Sequence, residues 1–361
     1  MKIGCTMAFL VQLAVFLTLG SARAGWEEEW ERTVKAAKQE GRVAVFGPTG
    51  TERRDVLTGP FQKKYGIAVD FVGGRASSIP PKLGAERRAG HFSWDLVVAG
   101  ALDRVLYPMK VLEPLEPAFI LPEVRDKTKW RGGDFEFLDP ERTILVMTPT
   151  QRGTVFINRA EVDAKAFKSY RDLLEPRWKG KIVIDDPRGP GPGQATFTFF
   201  YLHPDLGGDY IRALARQKPL LLKNYAQEVD HVGSGKYPIG VGLADHVAQQ
   251  RILQGIPLEI VDVRQFKEGS DISPAVGTMV LLKNAPHPNA ARVYINWLLS
   301  KEGQTEFTRV SGYVSNRLDV RTDHTDAWRV PKPGAVKTYG FRAGKLFDTE
   351  IQPLLQEVFG R

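Results

Sequence analysis

The chain has 361 residues, of which 42% are hydrophobic. At roughly 150 residues per domain this length predicts about two domains with cores of their own, and it excludes a disordered tail or a small stapled scaffold. There are 50 Lys and Arg residues against 42 Asp and Glu, a formal net charge of +8. The basic residues are scattered and their longest runs are surface pairs such as Arg53-Arg54, so we expect no nucleic-acid partner.

Residues 1–24 have the layout of a secretory signal peptide: a basic start at Lys2, an apolar stretch from Met7 to Leu19 and a small-residue ending. The apolar stretch is shorter than the roughly 20 residues of a membrane span, which favours cleavage after Ala24 over a retained anchor. Cys5, the only cysteine, precedes the apolar stretch and would leave with the signal. The mature chain would then have 337 residues, a net charge of +6 and neither disulfides nor thiolate ligands.

The first elements form a strand, helix, strand unit. Apolar residues at helical spacing predict an opening helix that ends at Gly41: Trp26, Trp30, Val34 and Ala37. A strand at Val43 to Phe46, a helix through Tyr65 and a strand in "GIAVDFV" then follow within about thirty residues. Such a βαβ unit indicates a parallel sheet covered by helices, and Gly59-Pro60 predicts a break in its helix.

The alternation of helices and strands continues to the end of the chain. A helix is predicted around Pro81 to Ala89, and apolar spacing at Ile351, Leu354, Leu355 and Val358 predicts a closing amphipathic helix. Further strands are predicted at Leu96 to Ala99, Ile182 to Ile184, Ile239 to Gly242, Leu258 to Val263 and Met279 to Leu282. The fold class is therefore α/β.

Candidate ligand-binding residues follow these strands, at the sheet edge where open α/β sheets bind ligands and helix N-termini expose N–H groups. They are Thr49, Gly50 and Thr51 after the first strand, Arg75 and Ser77 after the second, Gly100 after the third, and Gln194 and Thr196 in the loop and helix after Ile184. Small residues allow backbone to approach a ligand, while hydroxyl and guanidinium groups donate hydrogen bonds. The same residue types are also ordinary turn and N-cap residues.

No strong catalytic motif is present. The sequence has no G-x-S-x-G, H-E-x-x-H or Walker A pattern, and its six histidines are spread singly, without metal-site spacing. The absence of these motifs weakens the enzyme interpretation without excluding it, and we expect no catalysis.

Four segments resemble the periplasmic solute-binding proteins of ABC importers, in particular the branch that includes ferric-iron binders. The longest, from Ser273 to Val320, reads "SPAVGTMVLLKNAPHPNAARVYINWLLSKEGQTEFTRVSGYVSNRLDV". The others are "GTVFINRAEV", "SYRDLLEPRWKGKIVIDDPR" and "GSGKYPIGVG". The resemblance covers nearly the whole mature chain and is specific for the family, but not for the ligand.

The resemblance implies a type 2 periplasmic binding fold, with two lobes of mixed sheet and helices joined by hinge strands. The implied division is signal peptide 1–24, first part of lobe 1 at 25–147, lobe 2 with hinge strands at 148–274, and the return to lobe 1 with C-terminal helices at 275–361. It further implies a periplasmic monomer that has no cofactor and delivers a small-molecule ligand to a membrane permease.

The implied ligand is a small polar solute. Ferric-iron members carry adjacent tyrosines after the strand that corresponds to Ile239 to Gly242, whereas this chain has Asp245 and His246 in that region. An anion is favoured by Arg75, Arg152 and Arg188, and a carboxylate at Asp245 would suit a ligand hydroxyl or amine. Two alternatives stay open: a metal held by Asp245, His246 and Tyr313, and an enzyme that uses Asp245, His246 or Asp185 in acid/base chemistry.

Overall fold

A computed structural model describes residues 25–100, 102–332 and 335–360 of the chain. The predicted signal peptide, with Cys5 and the cleavage site after Ala24, lies outside the described residues. Within the described ranges, no helix combines the length and the apolar character needed to cross a bilayer.

The first lobe is built around a six-stranded sheet. Its strands are β1 (Arg42–Gly47), β2 (Ala68–Gly73), β3 (Leu96–Ala99), β4 (Leu112–Glu113), β5 (Leu145–Val146) and β13 (Thr278–Leu282). They lie in the order β2-β1-β3-β13-β4, and β5 also pairs with β13. Strands β1, β2 and β3 are parallel, and β13 runs antiparallel to β3. Its helices are α1 (25–40), α2 (Thr51–Tyr65), α3 (Ile79–Arg88), α4 (Leu102–Val105), α5 (Pro122–Arg125), α10 (Pro288–Leu299) and α11 (Lys301–Ser311).

Alternation along β1 explains why both faces of this sheet are covered. Val43 and Val45 face one apolar cluster, which includes residues of α2 and α10, while Ala44 and Phe46 face a second cluster against α3. A strand that is buried on both faces has a continuous run of apolar residues, and this run allowed β1 to be predicted from the sequence. The predicted βαβ unit is confirmed, and β1 and β2 pair in parallel over their full lengths.

The predicted break at Gly59-Pro60 is wrong, because α2 continues from Thr51 to Tyr65 with Pro60 inside it. Proline normally clashes with the Cβ of the residue before it in a helix. Gly59 has no Cβ that could clash with the ring of Pro60. The Gly-Pro order therefore removes part of the steric penalty, and burial of Val56, Leu57 and Phe61 holds the helix on the core.

The second lobe is built around a five-stranded sheet. Its strands are β7 (Val155–Asn158), β8 (Ile182–Asp185), β9 (Leu220–Leu222), β10 (Ile239–Val241) and β11 (Leu258–Ile260). They lie in the order β11-β7-β10-β8-β9. Strands β8, β9 and β10 are parallel, whereas β7 is antiparallel to both β10 and β11. Its helices are α6 (Pro192–Leu202), α7 (Gly207–Arg216), α8 (Tyr225–Gly233), α9 (Asp245–Leu253) and α13 (Gln352–Phe359).

The second sheet also buries both faces. In β8, Ile182 and Ile184 face a cluster that contains α6, α7 and α13, while Val183 faces a cluster under α8 and α9. The predicted closing helix is confirmed, since Leu354 and Leu355 are buried in the first of these clusters. The strand predicted at Leu258 to Val263 is shorter, because the chain ends its pairing at Ile260 and turns at Val263.

Three strands join the lobes in a small sheet of their own, ordered β14-β12-β6. They are β6 (Thr150–Gln151), β12 (Asp271–Ser273) and β14 (Val336–Lys337). Strands β6 and β12 lie in the two connections between the sheets, and β14 is followed by α12 (Phe341–Leu346), which leads to α13 on the second lobe. Two antiparallel connecting strands side by side are the arrangement expected of a hinge.

Candidate functional site

A cavity of about 750 Å³ lies between the two lobes. Segments that follow strands β1, β2 and β3 line it from the first lobe, and the starts of α6, α8 and α9 line it from the second. The carboxyl ends of parallel strands and the N-termini of the helices that follow them meet there, which is the usual ligand position in open α/β sheets. Its volume is within the range of small-molecule sites.

The first-lobe wall is shaped by close backbone packing. Gly100 follows β3, and a Cβ at that position would collide with the carbonyl oxygen of Ala275 in the connection between the lobes. Thr49 precedes α2, Gly50 caps its N-terminus with a φ of 110°, and Arg53 in its first turn also lines the cavity. Only glycine adopts such a φ readily, so Gly50 shapes this loop without itself lining the cavity.

The second-lobe wall begins where β8 meets α6. The N–H of Gly193 donates to Asp185 Oδ2 at 2.7 Å, and a Cβ at Gly193 would collide with the carbonyl oxygen of Asp185. This contact fixes the start of α6 against the sheet and presents Gln194 to the cavity.

The charged groups of the cavity wall are predominantly basic. Five basic side chains and two carboxyl groups line the described part of the cavity: Arg53, Arg75, Arg104, Arg152 and Lys223, with Asp103 and Asp245. Burial raises the pKa of Asp103, although Arg104 opposes the shift. The wall therefore favours a ligand with negative charge.

Two of the arginines contact the second lobe without a carboxylate partner. The Arg75 guanidinium lies 4.4 Å from the ring centroid of Tyr225, and Arg152 Nη2 donates to the carbonyl oxygen of Pro192 at 3.2 Å. Within the described ranges, neither guanidinium forms a salt bridge with a carboxylate. Both retain N–H donors for a ligand, since a guanidinium carries five.

Asp245 is paired with a buried arginine. Its Oδ2 accepts a hydrogen bond from Arg329 Nη1 at 3.0 Å, and Arg329 is only 4% exposed. Burial would raise the pKa of Asp245, but Arg329 and then Arg152 outweigh it and hold the pKa below its usual range. Asp245 is therefore an ionised acceptor at the cavity wall, suited to a ligand hydroxyl or amine.

Most of the sequence-predicted residues meet in this one cavity. Its wall includes Thr49, Arg75, Ser77, Gly100, Arg152, Gln194, Asp245 and Tyr313, together with His246 of the metal alternative. Three do not line it: Gly50, Thr51 and Thr196. Thr196 is 1% exposed and lies near Gly242. It is therefore on the face of α6 that is turned away from the cavity.

Arg188 and Asp185 are also placed behind the wall. Arg188 makes two hydrogen bonds of 2.8 Å with the carboxylate of Asp186 and donates to the carbonyl oxygen of Gly360 at 2.6 Å. Its guanidinium is thus engaged in joining the C-terminus to the second lobe. Asp185 is 4% exposed and does not line the cavity, which separates it from a bound solute.

Sequence reasoning missed Arg53, Tyr225 and Arg329. Arg53 was assigned to a surface pair, although its place in the first turn after a Gly/Thr loop was a usable signal. Tyr225 and Arg329 had no such signal, because both are placed by distant segments: Tyr225 lines the cavity at the start of α8, and Arg329 contacts the lining residue Asp245.

The metal alternative depends on Asp245, His246 and Tyr313, which all line the cavity. The residues around the cleft partly desolvate the exposed imidazole of His246 and lower its pKa, whereas burial raises the pKa of Tyr313. In the described part of the chain, no group of three or more His, Cys, Asp or Glu side chains is arranged to hold a metal ion. Asp245 already faces Arg329, a competing cation.

Comparison with known proteins identifies relatives of the same architecture. Residues 57–333 match the family of bacterial extracellular solute-binding proteins. An uncharacterised protein of Haemophilus influenzae is 26% identical over 277 residues, covering 74% of this chain and 76% of the relative.

Two solved structures resemble the whole two-lobed fold. The periplasmic binding protein AfuA of Actinobacillus pleuropneumoniae, with fructose-6-phosphate bound, is 19% identical with a TM-score of 0.64, covering 85% of this chain and 98% of AfuA. The Trichodesmium protein IdiA (FutA), in complex with iron and citrate, is 17% identical with a TM-score of 0.66, covering 89% of this chain and 100% of the other. These matches confirm the two-lobed α/β fold and the resemblance found in the sequence. The chain belongs to the family of bacterial extracellular solute-binding proteins.

Proposed function

We propose that this protein is the substrate-binding component of an ABC importer and captures a small anionic solute that carries hydroxyl groups. Arg53, Arg75 and Arg152, from three segments, line one cavity and supply charge-assisted donors for phosphate or carboxylate oxygens. The ionised Asp245 on the same wall accepts a hydrogen bond from a ligand hydroxyl. The single observation that carries the proposal is this basic cavity with one paired carboxylate between two lobes.

Capture requires contacts in both lobes. A ligand held by Arg75 of the first lobe and by the start of α6 in the second stabilises the arrangement in which the lobes approach each other. The Arg75 contact with Tyr225 already spans the cavity. The protein acts as a monomer, without a cofactor or catalysis, and hands the unaltered solute to a membrane permease.

Export accompanies this function. Residues 1–24 direct the chain to the periplasm and are removed after Ala24. Lobe 1 then comprises 25–147 together with the return from 275, lobe 2 with the hinge strands comprises 148–274, and the C-terminal helix α13 packs on lobe 2.

Isothermal titration calorimetry with four probes tests the proposal: fructose 6-phosphate, citrate, fructose and ferric citrate. We expect fructose 6-phosphate or citrate to bind and fructose not to bind. Arg75→Gln and Arg152→Gln should each weaken anion binding roughly 10- to 100-fold, because each removes a charge-assisted hydrogen bond.

Arg54→Gln is the matched control, since Arg54 neighbours Arg53 but is exposed and pairs with Asp55. It should leave the affinity unchanged. Binding of fructose alone, or equal affinities in all variants, would contradict an anionic ligand. Binding of ferric citrate without binding of citrate would favour the metal alternative.

A further inference from the structure

Two carboxyl groups lie against each other behind the second-lobe wall. Glu228, in α8, is 0% exposed, and neither of its oxygens receives a hydrogen bond from a donor among the described residues. Its neighbour is Asp185, at the end of β8, which is 4% exposed and accepts the Gly193 N–H through Oδ2. A buried carboxylate without a donor is costly, whereas a carboxylic acid that donates to a neighbouring carboxylate is not.

The pair lies directly beneath residues that line the cavity. A Cβ at Gly191 would lie 2.7 Å from Asp185 Oδ2 and 3.2 Å from the Tyr225 hydroxyl. Gly191 and Tyr225 both line the cavity, and Glu228 follows Tyr225 by about one helical turn. The charge of the pair therefore acts on the cavity through a single layer of protein, where screening by water is weak.

We propose that Glu228 and Asp185 share one proton behind the Gly191 and Tyr225 wall, and that this proton makes the capture of an anion by the cavity dependent on pH. The inference rests on the proposed anionic ligand. With one proton the pair carries one negative charge, which the arginines of the cavity offset. Without the proton it carries two, and an anion in the cavity is repelled more strongly. Glu228 is thus a charge-setting residue that acts on the ligand through the field of the pair.

The pKa values of Glu228 and Asp185 are both shifted in the direction that a shared proton requires. Burial, with the negative charge of Asp185 and a hydrogen bond to it, raises the pKa of Glu228 to about 8. Burial raises the pKa of Asp185 to about 6, against the opposing effects of the Gly193 N–H and Arg152. Between these values the pair retains one proton, as two adjacent carboxyl groups do when they cannot both ionise.

The other charged and titratable groups around the pair come from every neighbouring element. Arg75 and Arg152 approach from the first lobe and the hinge, and Tyr225 and His246 lie at the starts of α8 and α9. Asp186 follows Asp185 and pairs with Lys223; Asp230 and His231 are the further titratable residues of α8; and Asp245 precedes His246 at the start of α9. His246 is the main competitor for a proton, because it lines the cavity itself.

The first measurement follows thermal unfolding of the ligand-free protein from pH 5 to pH 9. Folded Glu228 keeps its proton well above the pH at which an unfolded glutamate loses it, so this group stabilises the fold most at low pH. The melting temperature of the wild type should fall as pH rises from 5 to 8, and the contribution of Glu228 should level off above 8. Glu228→Gln should lack that component, while Glu259→Gln, which changes a partly exposed glutamate on β11, should retain it.

The second measurement is calorimetry of fructose 6-phosphate binding from pH 7 to pH 9, where a phosphate monoester is already dianionic. The wild type and Glu259→Gln should lose about tenfold in affinity over this range, and near pH 8 they should take up protons on binding. In Glu228→Gln the affinity should be flat and proton uptake absent. Paired buffers of different ionisation enthalpy report the proton uptake directly.

Each outcome decides a separate point. Proton uptake that persists in Glu228→Gln would assign the proton to another group such as His246 and overturn the inference. An identical slope of melting temperature in the wild type and Glu228→Gln would overturn the shared proton itself. Citrate replaces fructose 6-phosphate as the probe if only citrate binds to the wild type. If neither anion binds, the anion coupling fails together with the proposed ligand, and the melting profile still decides whether the pair holds a proton.

Discussion

Single residues of the cavity were predicted where local sequence determines their position. Thr49, Arg75 and Gly100 follow strands that the apolar pattern locates, so their arrival at one sheet edge follows from the βαβ order. Arg329 could not be found this way, since its contact with Asp245 joins segments 84 residues apart. The pairing depends on how the last part of the chain crosses the hinge, which no local pattern encodes.

The Arg329 and Asp245 pair makes a prediction at this scale. Arg329→Gln removes the buried cation that faces the carboxylate of Asp245, whose side chain is 13% exposed, and should lower the free energy of unfolding by about 2–3 kcal/mol in urea titrations. Arg321→Gln is the control, because it breaks an exposed pair with Asp323 and should cost less than about 1 kcal/mol. If both variants lose the same small amount of unfolding free energy, the ion pair of Arg329 and Asp245 does not stabilise the cavity wall. Adding Asp245→Asn to Arg329→Gln should restore part of the loss.

At the scale of elements, strands that bury both faces were predicted well, and short connecting strands were not. Strand β3 was located at Leu96 to Ala99 because its four residues are all apolar. Strands β6 and β14 have two residues each, too few to give a period, and their pairing is defined by the hinge sheet. The break predicted in α2 at Pro60 was wrong, because the general rule for proline does not consider that a preceding glycine lacks the Cβ with which the ring would clash.

The junction of β8 and α6 gives a prediction for an element. Gly193→Ala would force a Cβ into the carbonyl group of Asp185 and should destabilise the protein by about 1–3 kcal/mol, with weaker anion binding because the start of α6 shifts. Gly189→Ala in the same loop is the control, since a Cβ there meets no atom within 4 Å. A Gly193→Ala variant with wild-type stability and affinity would contradict the role of this close contact.

At the scale of the whole molecule, length predicted two domains but not their interleaving. The first sheet takes strands from before the hinge and then Thr278–Leu282 from after it, and the C-terminal helix packs on the second lobe. The overall positive charge of the chain is scattered, yet the cavity collects five basic side chains among its described lining residues. The composition shows that positive charge is in excess, whereas only the fold shows that basic side chains gather between the lobes.

The central claim is that the cavity holds an intact, negatively charged solute. Mass spectrometry of the small molecule that natively purified protein releases on denaturation tests it most directly. We predict one small anion with hydroxyl groups, present at close to one molecule per chain and chemically unaltered when it is added back. Release of a neutral or cationic molecule, of a metal ion alone, or of a product that differs from the compound added would contradict the account.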